Sequence, residues 1–456
     1  MKKTDASKPI VKGDKKVIRG WILYDWANSV YQLTITTAIF PIYFLAVTQK
    51  GPDDFYVNFF GNDIINSVLY SWAIATAYLV VAGLTPLLSS LADYTGRRKA
   101  FMQVFTVIGA LSCGALYFFD KDHITIGVIA FTLATVGYGG SLVYYNSFLP
   151  VIAEEKDQDR ISAQGYSMGY LGGIVLIIFN LLMIEKPELF GITDDTLPAK
   201  ISFLSVCVWW LAFAQVTFNR LPKYTYRKRR KDKESNILIE GYSELNKVFK
   251  EVIKSKKFTF YLIGFFFVMM GLITTMFMSV TFGKKEVGLD DNILIPVLLI
   301  IQLVGMGGAW LFARISSRIG NLKSLIISVA IWVAVCTSAS QIVNATQFIV
   351  AAFFIGLVMG GTQSLARSTY SKMIPETSTD HTSYFSFYDV MEKLATVAGT
   401  FSWGLIEAIT GNMRYSVISI GLFFVVGIIF LGLTLYSEFI AGKQSRKTAP
   451  VIVKNP

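Results

Sequence analysis

The chain has 456 residues, of which 53% are hydrophobic, 14% aromatic and only 16% charged, with a mean hydropathy of +0.51 and a formal net charge of +11. A soluble domain carries about 25% charged residues, so this composition excludes a string of soluble domains, and it equally excludes a disordered or collagen-like chain. We expect an all-α membrane protein with many spans.

Apolar stretches long enough to cross a bilayer recur twelve times along the chain. A helix needs about 20 residues to cross ~30 Å of hydrocarbon. The predicted spans, numbered one to twelve in chain order, cover residues 21–48, 66–92, 100–119, 124–153, 166–184, 199–218, 258–282, 294–315, 324–342, 345–373, 384–410 and 415–437.

A polar stretch between the sixth and seventh spans divides the chain into two halves. The predicted organisation is an N-terminal tail, a six-helix bundle, a linker, a second six-helix bundle and a C-terminal tail, at residues 1–20, 21–218, 219–257, 258–437 and 438–456. The linker opens with a basic cluster, 227–231, that would bind anionic lipids or remain a solvated connection. Apolar residues then recur at spacings of three and four between Leu238 and Val252, which predicts an amphipathic helix lying on the membrane surface.

The distribution of positive charge predicts the orientation. The large majority of the 42 Lys and Arg residues fall in the two tails, the linker and the loops on the same side of the predicted bundle. By the positive-inside rule this side is cytoplasmic, so both termini are expected in the cytoplasm and the chain in the cytoplasmic (inner) membrane. The net positive charge therefore reflects topology, and we expect no nucleic-acid partner.

Residues suited to catalysis or metal binding are scarce. The three cysteines lie in apolar runs, and the two histidines, His123 and His381, fall on opposite predicted faces, so no zinc site can be assembled from them. Neither a phosphate-binding Walker loop nor a Gly-x-Ser-x-Gly nucleophile elbow is present. We expect no catalytic residue, no metal and no cofactor, which disfavours an enzyme.

The two halves show traces of a duplication. The fourth and tenth spans carry Gly139-Gly140-Ser141 and Gly360-Gly361-Thr362, and each is followed by a proline, Pro150 or Pro375. The fifth and eleventh spans both follow a polar loop with an aspartate. These matches recur in the same order, which indicates two related bundles side by side, with a solute path between them.

The loop between the second and third spans contains the chain's most distinctive short motif. Its key residues are Asp93, Gly96, Arg97 and Arg98: the glycine permits a tight turn, and the aspartate can cap a helix or accept bonds from an arginine. The motif resembles the signature of the major facilitator superfamily, although Ser89 stands where that signature usually has glycine. A loop that merely anchors to anionic lipid is the alternative.

Four further motifs narrow this resemblance. They are Tyr24-Asp25-Trp26-Ala27-Asn28-Ser29, Tyr145-Asn146-Ser147-Phe148-Leu149-Pro150, the segment 360–368 and Phe387-Tyr388-Asp389. Together they resemble the branch that contains the vacuolar autophagy-related amino-acid effluxers and their bacterial relatives of unknown substrate. The resemblance implies a major facilitator fold with twelve helices in two pseudo-symmetric bundles, acting as a monomeric secondary transporter by alternating access. It implies a small solute, amino acids first and export as the direction, and coupling to an ion or to protons.

Polar residues inside the spans are the candidate functional residues, because an ionisable group in a membrane is costly. Asp25, Asn28, Gln32 and Thr36 follow one another at spacings of three and four, which places them on one helical face, either at a substrate cavity or at a polar seam between helices. The motifs add Tyr145, Asn146 and Gln363 to the candidates for solute binding or coupling.

A second group of ionisable residues is expected nearer the cytoplasmic end. Arg367 of the tenth span is predicted to bond to Asp389, Glu392 or Asp25, and Lys393 to pair with Asp389 four residues away. We interpret this group as a gate that closes the inner mouth. Asp25 or Glu392 as a proton-coupling carboxylate, and static ion pairs, are the alternatives.

Three other functions compete with transport of a small hydrophilic solute. A channel fits the twofold repeat less well than alternating access does. A hydrophobic or lipid-like solute is the second choice of substrate. A transport-inactive sensor on the same fold would share every motif, and flux measurements on the purified protein would separate it from a transporter.

Overall fold

The computed structural model describes residues 11–49, 56–194, 196–223 and 237–448. The first half consists of six long helices, which correspond to the first six predicted spans: Lys15–Thr48, Asn66–Thr95, Arg98–Ala115, Ile124–Ser147, Gln158–Glu185 and Leu197–Arg220. Short helical turns extend this half at Leu116–Phe118, Leu149–Ile152, Glu155–Asp157 and Pro187–Phe190.

The second half contains six more long helices, which correspond to spans seven to twelve: Lys256–Lys285, Asp291–Ile319, Asn321–Ala339, Ala345–Met373, His381–Thr410 and Met413–Thr448. Several helices begin earlier or end later than the predicted apolar windows. The fifth begins at Gln158 instead of residue 166, because an apolar window reports only the part of a helix that lies in lipid.

Eleven helices of the described chain are long and apolar enough to cross a membrane. The eleventh span, His381–Thr410, is as long as its neighbours but carries Asp389, Glu392 and Lys393 in its middle. Asp389 and Lys393 are buried inside the bundle, so their cost is set by the protein interior and not by lipid. This helix completes the set of twelve.

The first span is not a regular α-helix throughout. Asp14 caps its start by accepting the backbone N–H of Lys16 at 2.7 Å. The segment Tyr31–Ala38 then forms wider π-helical turns before α-helical geometry resumes at Ile39. The prediction of one polar face from Asp25 to Thr36 assumed α-helical spacing, and the wider turns change that spacing beyond Tyr31.

A β-hairpin joins the first two spans and was not predicted. Strand β1 (Tyr56–Phe59) pairs with the antiparallel strand β2 (Asn62–Ile65). The two turn residues, Phe60 and Gly61, have φ of 49° and 82°, the backbone combination of a tight hairpin turn with left-handed residues at both positions. Glycine adopts this geometry without strain, whereas a phenylalanine rarely does.

The helices of the two halves pack in the same pattern. In each half the first helix packs against the fifth and the sixth, the third packs against the fourth and the sixth, and the second packs against the fourth. Each half has its own buried core, with Trp21 and Trp210 in one and Trp332 in the other. The halves meet where the fifth span packs on the eighth and tenth, and where the eleventh packs on the second and fourth.

Both ends of the described chain lie on one face of the bundle, which we call the terminal face. Gly13 N–H donates to the carbonyl of Ile152 at 2.8 Å, and Lys257 pairs with Glu438 at 3.0 Å, so the ends of the first, fourth, seventh and twelfth spans meet there. The opposite face, which carries the hairpin, is called the far face.

An amphipathic helix, Ile237–Lys254, precedes the seventh span on the terminal face. It packs against the second, seventh and eleventh spans. Val248 and Val252 are buried in the core of the second half, and Tyr384 Oη donates to Glu251 Oε2 at 2.7 Å. The basic cluster 227–231 lies outside the described residues.

Glycine allows the closest approach between the third and fourth spans. A Cβ on Gly137 would overlap the backbone of Gly109 and of Phe105. A Cβ on Gly83 of the second span would meet no atom within 4 Å. These two glycines therefore form a matched pair, one at a helix contact and one in open space.

We expect Gly137→Ala to destabilise the protein by about 1–3 kcal/mol, because the added methyl group forces the two helices apart. Thermal unfolding of the purified chain in detergent would measure the loss. Gly83→Ala is the control and should be neutral or stabilising by up to ~1 kcal/mol, since alanine is the better helix former. Equal effects of the two substitutions would contradict the close packing.

Candidate functional site

Arg367 of the tenth span is the centre of a buried cluster that joins the two halves. Its side chain is 2% exposed, and Nη1 lies 3.3 Å from Asp25 Oδ2 of the first span. Nε donates to Ser162 Oγ at 2.9 Å, Nη2 donates to the Ser162 carbonyl at 2.8 Å, and Nη1 donates to Asn146 Oδ1 at 3.4 Å. Tyr145 Oη donates to the same Asp25 oxygen at 2.7 Å. We call these five residues the Arg367 cluster.

Three aromatic rings enclose the guanidinium. Its central carbon lies 4.2 Å from the ring centre of Tyr166, 4.8 Å from that of Trp21 and 5.5 Å from that of Tyr145. Trp21 stacks on Tyr145 at 4.4 Å, and its Nε1 donates to the Tyr145 carbonyl at 2.8 Å, so the rings hold one another in place. A cation held over aromatic faces is stabilised without hydration, which suits a charge inside a membrane.

A cavity lies between the two halves next to this cluster and contains about 490 Å³ of space free of protein atoms. The side chains around it include polar and apolar groups, and none of them carries a formal charge. They belong to spans one, four and five of the first half and to spans seven, eight and ten of the second, and include Gln32, Tyr138, Tyr166, Tyr170, Gln302 and Gln363. Tyr170 Oη donates to Gln363 Oε1 at 2.6 Å across the halves, whereas Gln302 Oε1 is buried and has no hydrogen-bond partner in the part of the chain that the structure describes.

The ionisable residues of the eleventh span form a separate group. Lys393 Nζ lies 2.9 Å from Glu392 Oε1 and 3.3 Å from Asp389 Oδ1. The ammonium also lies 5.8 Å from the ring centre of Tyr78 on the second span. We call Asp389, Glu392 and Lys393 the span-eleven triad. Three partners were expected for Arg367. The structure places Asp25 beside it, whereas Asp389 and Glu392 contact Lys393 instead.

The loop after the second span contacts the start of the eleventh. Asp93 accepts the backbone N–H of Ser383 at 2.7 Å and of Thr382 at 3.2 Å, so its carboxylate caps the eleventh helix. Arg98 Nε donates to Asp93 Oδ1 at 2.8 Å and Nη2 to the Thr379 carbonyl at 2.5 Å. This loop therefore connects the two halves on the terminal face.

Gly96 ends the second helix with a φ of 67°, a conformation that glycine adopts without strain. Arg97 is exposed, in contrast to the fully buried Arg98, and so stands apart from these contacts.

The start of the fifth span makes the equivalent contact to the second half. Asp159 accepts hydrogen bonds from Lys372 Nζ at 2.7 Å, from Ser316 Oγ at 3.1 Å and from Asn321 Nδ2. Asn321 begins the ninth span, at the position that corresponds to the signature loop of the first half. The two seams between the halves are thus related by the same pseudo-symmetry as the bundles.

The sequence-predicted residues divide between these sites. Gln32 and Gln363 line the cavity, and Asp25, Tyr145 and Asn146 belong to the Arg367 cluster. Asn28 is 1% exposed and its Oδ1 accepts from Ser29 Oγ at 3.4 Å. Among the described residues, neither Asn28 nor Thr36 lines the cavity.

Sequence reasoning missed Trp21, Ser162, Tyr166 and Tyr170. Trp21 lies four residues before Asp25, so its place on the same helical face was a usable signal. Ser162, Tyr166 and Tyr170 recur at a spacing of four along the fifth span, but aromatic and small residues at this spacing are also typical of ordinary helix packing. Their role at the cavity depends on contacts with the tenth span that no local pattern reports.

The described part of the chain holds no group of three or more His, Cys, Asp or Glu side chains placed to bind a metal ion. The donors around the cavity are amides and hydroxyls, which bind polar solutes by hydrogen bonds.

Comparison with known proteins assigns the chain to a family. A family model described as "vacuole effluxer Atg22 like" matches residues 13–438. The chain belongs to this family. The resemblance derived from the motifs is therefore confirmed.

Two relatives and one solved structure illustrate the similarity. The Atg22-like chain is 27% identical over 425 residues to a protein named uncharacterized MFS-type transporter YxiO of Bacillus subtilis (strain 168), covering 92% of this chain and 95% of the relative. It is 23% identical over 451 residues to autophagy-related protein 22 of Yarrowia lipolytica (strain CLIB 122 / E 150), covering 79% of this chain and 74% of the relative.

The solved structure is the major facilitator superfamily transporter FucP in an outward conformation. It superposes on the Atg22-like chain with a TM-score of 0.67 at 15% identity, covering 94% of this chain and 99% of FucP. The chain is thus a multi-pass membrane protein with the major facilitator fold.

We expect Asp25 and Arg367 of the Atg22-like chain to be strongly coupled in stability. Asp25→Asn or Arg367→Gln alone leaves one buried charge without its partner and should cost about 3–5 kcal/mol. The double variant should lose much less than the sum of the two. A double-mutant cycle from thermal unfolding in detergent would measure this coupling.

The exposed pair Lys257 and Glu438, at 3.0 Å, is the matched control. Its double-mutant cycle with alanine should give a coupling below ~1 kcal/mol. If the Asp25–Arg367 cycle gave a value as small as this, the two side chains would not be paired in the protein.

Proposed function

We propose that the chain is a secondary active transporter that moves a small hydrophilic solute across the cytoplasmic membrane by alternating access. The observation that carries the proposal is the uncharged, partly polar cavity between two pseudo-symmetric bundles, with a buried inter-half ion pair beside it. The space free of protein atoms there is about 490 Å³, including the part that is open to solvent. The name of the family model, which describes effluxers, favours export.

We assign the terminal face to the cytoplasm and interpret this arrangement as one closed on that side. The assignment rests on the positive-inside distribution of Lys and Arg. The closure is supported by three groups of inter-half contacts on the terminal side: the Arg367 cluster, the bonds of Asp93 and Arg98 to the eleventh span, and the bonds of Asp159. For the cytoplasmic mouth to open, all three must separate.

The solute that best fits this site is a zwitterion such as an amino acid. The residues that line the cavity carry no formal charge, so a solute with a net charge would lack a partner of opposite charge there. The Arg367 cluster offers one cation and one anion next to the cavity, since Tyr166 lines the cavity and also stacks on Arg367. The carboxylate of the solute can take the place of Asp25 beside Arg367, and its ammonium can take the place of Arg367 beside Asp25. The ion pair between the two halves is then broken, which loosens the closed mouth.

Two other functions remain as outcomes of the test. A hydrophobic or lipid-like solute would offer no hydrogen bond to Gln302 Oε1, which has no partner among the described residues, and this disfavours it. A transport-inactive sensor would bind the solute but not move it. The chain is expected to act as a monomer, because the cavity is built from its own two halves.

The function is tested with purified protein in liposomes. A thermal-shift screen of amino acids, peptides, sugars and lipids would first identify ligands, and each ligand would then be assayed for flux with and without a pH gradient. We expect stabilisation by amino acids and protein-dependent flux of the same compounds. Binding without flux would identify a sensor, and stabilisation by lipids alone would reject the hydrophilic solute.

The closure of the terminal mouth is tested by cysteine accessibility. Ala163 is buried between the fifth and eighth spans on the terminal side, next to Ala309 and Ala313. A163C should react slowly with a membrane-impermeant maleimide in the parent chain, whose three native thiols are buried. Adding Arg367→Ala should raise the labelling rate several-fold, because the mouth opens more often.

A cysteine on the other side of the cavity provides the control for this experiment. Q32C replaces a cavity-lining residue and should become less reactive when Arg367→Ala is added, since alternating access closes one side as the other opens. Unchanged rates at both positions would reject the gate. A rise at both would indicate loss of folding instead.

A further inference from the structure

The span-eleven triad places an unbalanced charge inside the bundle. Asp389 and Lys393 are 5% and 4% exposed, and Glu392 is one-quarter exposed at its side chain. Two carboxylates share one ammonium, so the triad carries a net charge of −1 when every group is ionised. Asp389 lies eight residues into the eleventh helix, or ~12 Å at 1.5 Å per residue, and Lys393 lies one turn deeper.

The Arg367 cluster differs in this respect. It pairs one carboxylate with one guanidinium and is therefore neutral. A net charge buried at membrane depth is expensive, whereas a balanced pair is much less so. The triad therefore requires one additional positive charge to become neutral, whereas the ion pair of Asp25 and Arg367 requires none.

The geometry also indicates where this charge binds. Asp389 Oδ1 faces Lys393, but Asp389 Oδ2 is buried and has no hydrogen-bond partner among the described residues. An ionised carboxylate oxygen without a donor is unfavourable, and protonation of this oxygen removes its charge. Since the Lys393 ammonium already occupies the position between the two carboxylates, a metal cation would have to displace it.

We propose that the span-eleven triad is a binding site for one proton, with Asp389 Oδ2 as the acceptor. A hydronium ion in the water supplies the proton: one of its O–H bonds breaks, leaving a water molecule, an O–H bond forms at Oδ2, and the net charge of the triad changes from −1 to 0. Release to water on the other side breaks the same bond and restores the charge.

The groups around the triad leave its charge uncompensated. Among the described residues, the titratable groups that interact with the triad are tyrosines, which are neutral at ordinary pH: Tyr78 on the second span, Tyr138 and Tyr144 on the fourth, Tyr166 on the fifth and Tyr388 on the eleventh itself. Glu251 of the amphipathic helix bonds to Tyr384, near the start of the eleventh helix. Arg367 is already paired with Asp25.

The position of the triad connects proton binding to movement, and this step rests on the proposed function. Lys393 lies against the first half, with its Cε 3.5 Å from where a Cβ on Gly139 would lie and its Nζ near the Tyr78 ring. When the halves rock, the eleventh span moves against the second and fourth. A protonated triad can cross that apolar contact as a neutral group, so the proton and the conformational change become coupled.

The site is tested by infrared spectroscopy of the full chain in lipid vesicles. Protonated carboxyl groups absorb in a separate C=O stretching band, and a pH titration of that band reports their number and midpoint. We expect a band with a midpoint above that of exposed carboxylates. It should be lost in Asp389→Asn and shifted to lower pH in Glu392→Gln, which leaves a balanced pair.

Lys393→Met provides the opposite change and keeps the proposal testable if Asp389→Asn fails to fold. Without the ammonium, two carboxylates face each other, so the band should shift to higher pH. Glu286→Gln is the control, because Glu286 forms a partly buried ion pair with Arg414 at 2.7 Å, and its substitution should leave the band unchanged. An identical titration in the parent chain, Asp389→Asn and Lys393→Met would overturn the proposal.

The spectroscopic result does not depend on transport. If liposomes showed no solute flux while the band followed these shifts, the transport proposal would fail and the proton site would stand. If flux occurred and the band did not respond to any of the three substitutions, the proton site would fail alone.

Discussion

The cost of placing a charge in an apolar interior governs the organisation of this protein. Arg367 cannot be hydrated at its position, so it is surrounded by hydrogen-bond acceptors from the other half of the molecule and by three aromatic rings. Because its partners belong to the opposite bundle, the electrostatic requirement of one side chain becomes a constraint on how the two bundles sit together. The bonds of Asp93 and Asp159 extend the same constraint along both seams.

The fold could be predicted from the sequence because lipid imposes a strong local rule. Twelve apolar stretches of sufficient length, divided by a polar linker, correspond to the twelve long helices, since a helix is the only way to satisfy the backbone of a single segment in a bilayer. The predicted apolar spans did not include polar helix ends such as Gln158, because these ends lie outside the hydrocarbon. The β-hairpin was missed because two four-residue strands give almost no pattern beyond Gly61 at the turn.

The candidate site could be predicted only in part. Ionisable residues within spans are rare, so Asp25, Arg367 and the span-eleven triad were visible as exceptions. Their partners were not, because the choice between Asp25 and Asp389 for Arg367 depends on how the tenth span is rotated against the first and fifth. The π-helical turns from Tyr31 to Ala38 change the angle between successive side chains, and a prediction from α-helical spacing does not include that change.

The amphipathic helix before the seventh span has a mechanical consequence. It belongs in sequence to the connection between the bundles, yet it rests on the second span of one bundle and on the seventh and eleventh spans of the other. It therefore lies across the boundary between the two halves on the terminal face. Any separation of the two halves on that face would require this helix to lose its contacts with one of them.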